Sequence, residues 1–493
     1  MTAPLVHARL PDAADAPVPL VVDVDATLVR ADISLESFVR VARSGLVSAL
    51  LLLLALLRGR SIAKALAARR DPVDPARLPY RAPVLDLIRE AVSAGRPVIL
   101  ASASHRRNVA RIARHLGLAE PVIASSARAN LKGRAKLAAI RARIGADGPF
   151  DYAGDSRADA VLWAAARRGY SAGWMPGSAS VERIGPPPPP LAASLLRALR
   201  PHQWAKNALV LVPLFASGAM LDPGKFALAL VAMAAMSAIA SSIYLVNDLL
   251  DIDADRAHAT KWRRPIAHGD ITVPQALAGA IVLGLGGLAT GWLAGGPLLA
   301  GWLLAYMVVS LAYSLRIKAV LAADAIALAM LYTLRLAVGG AAVQVAVSYW
   351  LLLFSVFLFL SLAFLKRYVE IMGSPDDHRL IKGRGYVGGD LDLVMASGVS
   401  TGMVAVLVLA LFAHDPETTA RYVAPELLLL LCLPLLYWLL RAWMMARRDE
   451  IDGDPVAFAL KDRRSLMVGA LMGLIFLAAR FGQTWSPFVA PAG

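Results

Sequence analysis

The sequence predicts two joined fold classes: an N-terminal doubly wound α/β domain, followed by an all-α polytopic membrane domain of about nine transmembrane helices. The 493 residues are 58% hydrophobic and 18% charged with a mean hydropathy of +0.58, whereas soluble domains are about one quarter charged. Short Val/Ile/Leu-rich runs alternate with helical segments in the first part, and long apolar runs fill the second. A proline-rich run, "GPPPPP", separates them.

Four short runs predict the strands of the first domain. They read "PLVVDVDATLV", "RPVILASAS", "EPVIAS" and "FDYAGDS", and Ala/Arg-rich helical segments lie between them. This alternation is typical of a parallel sheet, in which ligands bind at the carboxyl ends of the strands. We expect the domain to cover residues 1–184, with a stiff linker over 185–194. The first 20 residues have no apolar core, so we expect no signal peptide and a cytoplasmic start.

The second part, 195–493, contains nine apolar runs that predict membrane spans, several of them close to the ~20 residues that cross a bilayer. They cover residues 207–221, 225–247, 272–294, 297–313, 319–341, 348–365, 394–413, 424–443 and 465–482. Lysine and arginine concentrate in alternate loops, beginning with the loop between spans two and three. This bias predicts a multi-pass protein of the inner (plasma) membrane with its N-terminal domain in the cytoplasm.

The net charge of +15 is explained by these basic loops, so we expect the lipid bilayer as a partner and no nucleic acid. The one cysteine, Cys432, excludes a disulfide framework and a cysteine metal site. Homo-oligomer formation is left open. A further apolar segment at 46–57 is too short to span a membrane. It predicts either a buried helix or an interfacial helix that docks the first domain on the bilayer, with Arg43, Arg58 and Arg60 beside it.

Polar residues at the predicted strand ends suggest a phosphate site in the first domain. Two carboxylates spaced by one residue can act as nucleophile and proton donor, and further carboxylates can hold a cation. A hydroxyl and a lysine complete what a phosphate monoester needs. The residues concerned are Asp23, Asp25, Ser102, Asp155, Asp159 and either Lys132 or Lys136.

This set resembles the haloacid dehalogenase (HAD) phosphatase family. The motif DxDx[TV] matches residues 23–27, the Ser/Thr motif matches Ser102, and GDxxxD matches residues 154–159. The resemblance implies a HAD-like, Rossmannoid fold with a helical cap at about 33–90. It implies a nucleophilic Asp23, an acid/base Asp25 and a phosphate held by Thr27, Ser102 and Lys136, the last chosen for the apolar spacing of "KLAAI". It also implies Mg²⁺ on Asp23, Asp155 and Asp159.

A second set of acids lies at the predicted cytoplasmic end of span two. Asn247, Asp251 and Asp255 are successive i, i+4 neighbours on a helix, and Asp248 lies beside Asp251. Such a stripe suits Mg²⁺ that shares its coordination with phosphates. The basic residues that follow can hold phosphate oxygens; they are Lys261, Arg263 and Arg264.

The spacing matches the NDxxDxxxD motif of the UbiA superfamily of intramembrane transferases. Five stretches are similar to the branch that makes decaprenylphosphoryl-phosphoribose: "RPHQWAKNALVL", "NDLLDIDADRAHATKWRRPIAHG", "YSLRIKAVLAAD", "RLAVGGAA" and "FLKRYVEI". Aromatic-prenylating members carry a second motif, DxxxD, whereas here Asp324 is followed at +4 by Leu328. The single acid favours the phosphoribosyl branch.

The resemblance implies that phosphoribosyl pyrophosphate is the donor and a polyprenyl phosphate the acceptor. Asp248, Asp251 and Asp255 would hold Mg²⁺ against the pyrophosphate. Further phosphate-binding candidates are Asn247, Lys206, Lys318, Asp324, Arg335, Lys366 and Arg367. Arg335 lies in mid-span and needs an anionic partner, either Asp324 or a ligand phosphate, or else it forms a structural interhelical pair.

Together the two domains predict a bifunctional enzyme. The membrane domain would transfer phosphoribose to the lipid phosphate, and the phosphatase would remove the 5-phosphate to give polyprenylphosphoryl-ribose, a lipid-linked pentose donor for the cell envelope. One alternative is a UbiA-type prenyltransferase acting on an aromatic acceptor, with a HAD phosphatase for another ester. The other is a non-catalytic membrane scaffold, which the intact acidic sets disfavour.

Overall fold

The computed structural model describes residues 17–118, 121–177, 180–373, 384–416, 420, 422–451, 453 and 455–481. The predicted cytoplasmic start at 1–16 and the last residue of the ninth predicted span, at 482, lie outside them. The chain divides into two compact units, which are described separately. The first comprises Met1–Arg200 and Tyr244–Ala280, and the second comprises Pro201–Ile243 and Ile281–Gly493.

The described part of the first unit contains a six-stranded parallel sheet with the order β3-β2-β1-β4-β5-β6. The strands are β1 (Leu20–Val22), β2 (Val98–His105), β3 (Ile123–Ser125), β4 (Asp151–Gly154), β5 (Gly169–Ser171) and β6 (Val181–Arg183). This is the doubly wound order, and its switch point between β1 and β4 is where such sheets bind ligands. The four predicted strands are confirmed, whereas β5 and β6, of three residues each, were not predicted.

Helices cover both faces of the sheet. Because successive strand residues point to opposite faces, Leu20 and Val22 pack into one core and Val21 into another. The first core is closed by α4 (Ala82–Ser93) and α5 (Arg106–His115), and the second by α6 (Arg134–Ile144) and α7 (Ala160–Ala165).

Three helices follow β1: α1 (Ile33–Arg43), α2 (Leu46–Arg58) and α3 (Arg60–Arg70). They pack on one another through a small core that includes Val41, Leu52 and Ala63. Helix α2 lies between two glycines with positive φ, Gly45 at +142° and Gly59 at +138°, which permit the sharp reversals. Within the predicted cap region at 33–90, α4 packs into the core of the sheet and not with these three helices.

After α8 (Leu191–Leu199), seven helices in the described residues are long and apolar enough to cross a membrane. They are α10 (Pro223–Leu250), α13 (Val273–Leu315), α14 (Ala323–Val343), α15 (Tyr349–Met372), the segment Gly388–His414 that contains α16 (Leu391–His414), the segment Pro425–Arg447 that contains α17 (Cys432–Arg447), and α19 (Arg463–Phe481). Short helices connect some of them: α9 (Val212–Ala216), α11 (Ile252–Arg256), α12 (Pro265–His268) and α18 (Pro455–Lys461). The chain is therefore a multi-pass membrane protein.

Three of the nine predicted spans are not separate long helices. Helix α13 contains the third and fourth predicted spans, and non-helical Gly295 and Gly296 break it just before Pro297. The prediction of one helix over 207–221 is corrected: a 3₁₀ segment at Pro201–Leu211 leads into the five-residue α9. Proline cannot donate a helical hydrogen bond, and Pro213 and the left-handed Gly218 (φ +75°) limit regular helix there.

Helices α14 to α17 form the main core of the second unit, around Phe359, Leu365 and Ala442. Gly398 on α16 allows close packing, because a Cβ atom there would lie 2.1 Å from the Trp443 ring.

Candidate active sites

The end of β1 carries the first two predicted site residues. The amide of Asp23 donates to the carbonyl of Ala153 at 2.9 Å, which fixes Asp23 beside β4. The chain then turns through Ala26 with a φ of +57°, a left-handed conformation that is uncommon outside glycine. Asp25 emerges next to the start of α1, where its Oδ1 accepts from the amide of Ile33 at 2.9 Å. The tight turn thus presents both carboxylates at the switch point.

Two serines of β2 orient Asp25. Ser102 Oγ donates to Asp25 Oδ2 at 2.6 Å, and Ser104 Oγ donates to Asp25 Oδ1 at 2.9 Å. Ser104 was not predicted, although it follows Ser102 by two residues and therefore lies on the same face of the strand. The carboxylate of Asp25 consequently has a fixed orientation.

Asp23, Asp155 and Asp159 form a compact acidic cluster, with ligand atoms all within 4.8 Å of one another. Asp159 is anchored by the Ser156 amide at 3.1 Å and by the Tyr152 hydroxyl at 2.7 Å. Thr27 Oγ1 donates to Asp155 at 3.2 Å. Gly154 permits this close approach, since a Cβ there would lie 2.7 Å from Tyr152.

Lys136 closes the cluster. Its Nζ lies 3.0 Å from Asp23 Oδ1 and 3.7 Å from Asp159 Oδ1, and its side chain is buried. The structure therefore brings Lys136 to the site, whereas Lys132 is exposed. Lys64 on α3 was not predicted; its Nζ donates to the carbonyl of Ala103 at 2.7 Å. No local pattern in the sequence marks Lys64, because this residue lies on α3 and contacts a different element, β2.

The electrostatics favour a cation at this cluster. Burial raises the pKa of Asp23 to about 8; Lys136 opposes this, and the neighbouring carboxylates reinforce it. Burial and the adjacent Asp159 raise the pKa of Asp155 to about 6. For Lys136, burial acts to lower the pKa, but Asp23 and Asp159 outweigh it and the pKa is raised. Three carboxylates and one ammonium leave two negative charges when all are ionised, which a divalent cation would balance.

The second acidic set lies where α10 ends, also in the first unit. The amide of Asp251 donates to Asn247 O at 2.9 Å, and the amide of Asp255 donates to Asp251 O at 2.8 Å. The predicted i, i+4 succession is thus present, although α10 ends at Leu250 and α11 begins at Ile252. Within the described residues, only the Asp23 cluster brings three acidic ligand atoms within 4.8 Å, so Asp248, Asp251 and Asp255 do not converge that closely.

Arginines hold these loop acids. Arg264 Nη1 lies 3.2 Å from Asp248 Oδ1 and 2.7 Å from Asp255 Oδ2, and Arg200 also pairs with Asp248. Two oxygens in this part of the structure have no hydrogen-bond partner among the described residues, namely Asp248 Oδ2 and Asn247 Oδ1, and both are buried. Buried polar atoms are rarely left so, and two unshared oxygens suit a cation or an ordered water. Lys261 and Arg263 are exposed.

The loop is attached to α1. Arg256 forms a two-pronged ion pair with Glu36 at 2.7 and 2.6 Å, and both side chains are only 5% exposed. Arg43 Nη1 lies 3.4 Å from Asp251 Oδ1 and also donates to the carbonyl of Leu250. The acids and this helix therefore form one packed assembly.

The second unit contains its own buried ionic group. Arg367 Nε lies 2.9 Å from Asp324 Oδ2, and the hydroxyl of Tyr386 donates to Asp324 Oδ1 at 2.7 Å. Arg367 also pairs with Glu370. Of the alternatives considered for Arg335, a pairing with Asp324 is not the one seen here, because the Asp324 carboxylate contacts Arg367 and Tyr386.

Arg335 has neutral partners. Its Nε donates to Asn207 Oδ1 at 3.0 Å and its Nη2 to the hydroxyl of Tyr306 at 3.0 Å, while the guanidinium lies 5.1 Å from the centre of the Tyr332 ring. Hydrogen bonds and aromatic faces thus stabilise this buried charge. The remaining predicted lysines of this unit, Lys206, Lys318 and Lys366, are partly buried.

Both parts of the chain are similar to known protein families. The profile of the UbiA prenyltransferase family matches residues 208–467, and that of the haloacid dehalogenase-like hydrolases matches residues 20–162. The uncharacterized protein y4nM of Sinorhizobium fredii is 35% identical over 483 residues, which is 95% of this chain and 92% of that protein.

Two named transferases match over a smaller part of the chain. Decaprenyl-phosphate phosphoribosyltransferase of Mycolicibacterium smegmatis is 32% identical over 309 residues, 59% of this chain and 92% of its own. The protein of that name from Mycobacterium tuberculosis is 38% identical over 196 residues, 39% of this chain and 65% of its own, just under two thirds.

Among solved structures, a UbiA homolog from Archaeoglobus fulgidus bound to GPP and Mg²⁺ aligns with a TM-score of 0.43 and 19% identity, covering 58% of this chain and 98% of that one. Because the UbiA profile alone matches more than half of the residues, the chain belongs to the UbiA prenyltransferase family, and it carries a haloacid dehalogenase-like domain at its N-terminal end.

Proposed function

We propose that the chain is a bifunctional, Mg²⁺-dependent enzyme that makes polyprenylphosphoryl-ribose. Its membrane domain would move phosphoribose from phosphoribosyl pyrophosphate to a polyprenyl phosphate, and its HAD domain would then remove the 5-phosphate. The basic loops support a cytoplasmic position for the HAD domain. The observation that carries the proposal is the pair of unshared buried oxygens on Asn247 and Asp248 beside Arg264, which offers a cation and a phosphate adjacent places.

In the transfer step, a phosphate oxygen of the lipid attacks C1 of the ribose, and the bond from C1 to pyrophosphate breaks. The pyrophosphate leaves with the bonding electrons. Asp248, Asp251 and Asp255 would hold Mg²⁺, and for this their carboxylates would have to approach one another more closely than they do here. When bound, the ion would neutralise charge on the leaving group. Arg264 and the exposed Lys261 would hold phosphate oxygens. In addition, Arg263, Asn247, Lys206, Lys318, Arg335 and Lys366 stay candidates for the substrate phosphates.

The ionic group around Asp324 supports the phosphoribosyl reaction over aromatic prenylation. A second Mg²⁺ site of the DxxxD kind needs two carboxylates, whereas Asp324 is followed at +4 by Leu328. Its one carboxylate is already paired with Arg367 and hydrogen-bonded by Tyr386. The two named transferases that match this chain add to this support.

In the hydrolytic step, Asp23 would attack the phosphorus and form an aspartyl phosphate. Asp25, oriented by Ser102 and Ser104, would give a proton to the leaving 5-oxygen and then take one from the attacking water. Ser102, Thr27 and Lys136 would hold the phosphate oxygens. Asp23 and Asp155, with Asp159 in support, would hold Mg²⁺, whose charge when bound offsets that of the phosphate.

A single incubation tests the proposal. The purified full chain in detergent receives Mg²⁺, polyprenyl phosphate and phosphoribosyl pyrophosphate labelled in the ribose. We expect the label to enter the lipid fraction, and chromatography to show that the lipid has lost its 5-phosphate. Chelation of Mg²⁺ should abolish the transfer. The proposal would be overturned if the lipid carried no label and the same protein joined a prenyl diphosphate to an aromatic acceptor.

A further inference from the structure

Helix α2 presents an apolar face that the described protein leaves open. Leu46 is 90% exposed and Leu57 is 78% exposed. Seven of the thirteen residues of α2 are exposed aliphatic side chains, namely Leu46, Val47, Leu50, Leu53, Leu54, Leu56 and Leu57. Soluble surfaces rarely carry a continuous apolar patch of this kind, and those that do bind a partner or a membrane.

The orientation of α2 is fixed from its other side. Leu52 and Ala55 are buried against Val41 and Ala63 of the neighbouring helices. The exposed face is therefore not a loosely packed core that could turn inward, because the inward position is already filled. Thirteen residues are also too few to cross a bilayer, which takes about 20.

The start of α2 lies beside the end of a membrane helix. Arg43 contacts the carbonyl of Leu250 and lies 3.4 Å from the Asp251 carboxylate, at the point where the apolar helix α10 ends. Leu46 follows Arg43 by only three residues, so the start of α2 lies close to the end of α10. Because α10 is apolar enough to span a membrane, we expect the headgroup region near its end, which is where an interfacial helix lies.

The charge of the segment complements anionic lipid. From Ser37 to Arg70 the sequence contains seven lysines and arginines and no aspartate or glutamate. Arg40 and Arg43 among them form ion pairs within the protein. The charges that we assign to lipid are those of Arg58 and Arg60, which are exposed and immediately follow the apolar face. Basic residues around an aliphatic helix face are the features of a helix that lies in the headgroup region of an anionic leaflet.

We propose that α2 lies in the bilayer interface, with its aliphatic face among the acyl chains and its flanking arginines among anionic headgroups. The occupant of this face is the lipid leaflet next to the end of α10. Docked in this way, the helices that follow β1 hold the HAD domain against the membrane independently of the reaction that either site performs.

Spin-label accessibility in proteoliposomes tests this docking. The full chain, with Cys432→Ser as background, carries a label at Leu50→Cys. A second variant, Ser93→Cys, places the label on the exposed end of α4, and a third, Leu285→Cys, places it on an exposed apolar residue of membrane helix α13. In anionic vesicles we expect the Leu50 label to collide more with oxygen than with a water-soluble nickel chelate, as Leu285 does and Ser93 does not.

Two outcomes overturn the proposal. A Leu50 label that matches Ser93 would show a solvated face, and a label shielded from both reagents would show a protein partner. A distance measured between labels on two chains would identify a second copy as that partner. Gel filtration and the thermal unfolding midpoint of each labelled variant establish that it is folded. A further variant, Leu50→Glu with Leu53→Glu, should lose the oxygen preference of a label at Leu57→Cys.

Discussion

The ion pair between Arg256 and Glu36 is the contact whose removal we expect to separate the two activities. Two hydrogen bonds of 2.7 and 2.6 Å join the side chains, each only 5% exposed. Arg256 Nε also donates to Ala267 O at 2.9 Å, so this side chain links α11, α12 and α1. Arg256→Gln would leave the buried Glu36 carboxylate with only a longer ion pair, 3.8 Å from Arg40 Nη1.

The structure sets the magnitude. Breaking a buried pair by removing one partner costs about 3–5 kcal/mol. Because ~1.4 kcal/mol corresponds to a factor of ten, this cost changes the ratio of docked to undocked loop about a hundredfold or more. Arg89→Gln is the matched control, because Arg89 pairs with Asp86 on the surface of the same unit with both side chains about half exposed. Surface pairs contribute about 0–1 kcal/mol.

Hydrogen exchange and activity report the outcome. We expect Arg256→Gln to increase amide exchange over residues 251–268 and to lower lipid labelling at least tenfold, while Arg89→Gln changes neither. Glu36→Gln should behave like Arg256→Gln, and the double variant should lose less than the sum of the two. Strictly additive effects, or unchanged exchange in the loop, would refute the role assigned to this pair.

Three further predictions concern single acids. Asp251→Asn should abolish lipid labelling and spare hydrolysis of a soluble phosphate ester. The control Asp253→Asn, in the same loop but outside the motif, should retain most of the transfer. Full transfer by Asp251→Asn would disprove the metal assignment. Asp23→Asn should leave transfer intact and accumulate the 5-phosphorylated lipid, as chromatography would show, and loss of both activities would contradict independent sites. Burial acts to raise the pKa of Asp151, but Arg167 and Arg96 outweigh it and hold the pKa below its usual value. The stabilising contribution of the ionised Asp151 carboxylate is therefore present above about pH 4 and lost at lower pH. The difference in thermal unfolding midpoint between the wild type and Asp151→Asn should shrink as the pH falls below that value. A constant difference would count against the pairing of Asp151 with the two arginines.

Local patterns explain what could be predicted from the sequence. Each of the four predicted strands lies in an apolar run that ends in polar residues. Because the strand ends of a parallel sheet meet at one edge, Asp23, Ser102 and Asp155 were expected to be neighbours. The apolar spacing after Lys136 favoured it over Lys132, and the structure places Lys136 Nζ 3.0 Å from Asp23. The strands β5 (Gly-Tyr-Ser) and β6 (Val-Glu-Arg) were missed because neither contains the apolar run that marks the predicted strands.

Long-range pairings could not be predicted. Glu36 and Arg256 are 220 positions apart, and no period in the sequence connects them. The buried charge of Arg335 indicated that partners exist but not which ones, and its neutral neighbours Asn207 and Tyr306 come from other helices. Pairing of this kind depends on how packed helices meet, which apolar periodicity does not encode.

Helix α1 contacts both candidate sites, and the way it is fixed indicates which site depends on the other. At its first residue the Ile33 amide binds Asp25, and at its last residue Arg43 binds Asp251, about 16 Å apart for eleven helical residues. The helix is anchored in the HAD domain by buried Ile33 and Val41, and these contacts do not involve the loop. In the loop, by contrast, Asp251 and Arg256 take their counter-charges from Arg43 and Glu36 of α1. Releasing the loop should therefore leave Asp25 in position, while displacing α1 should disturb both sites.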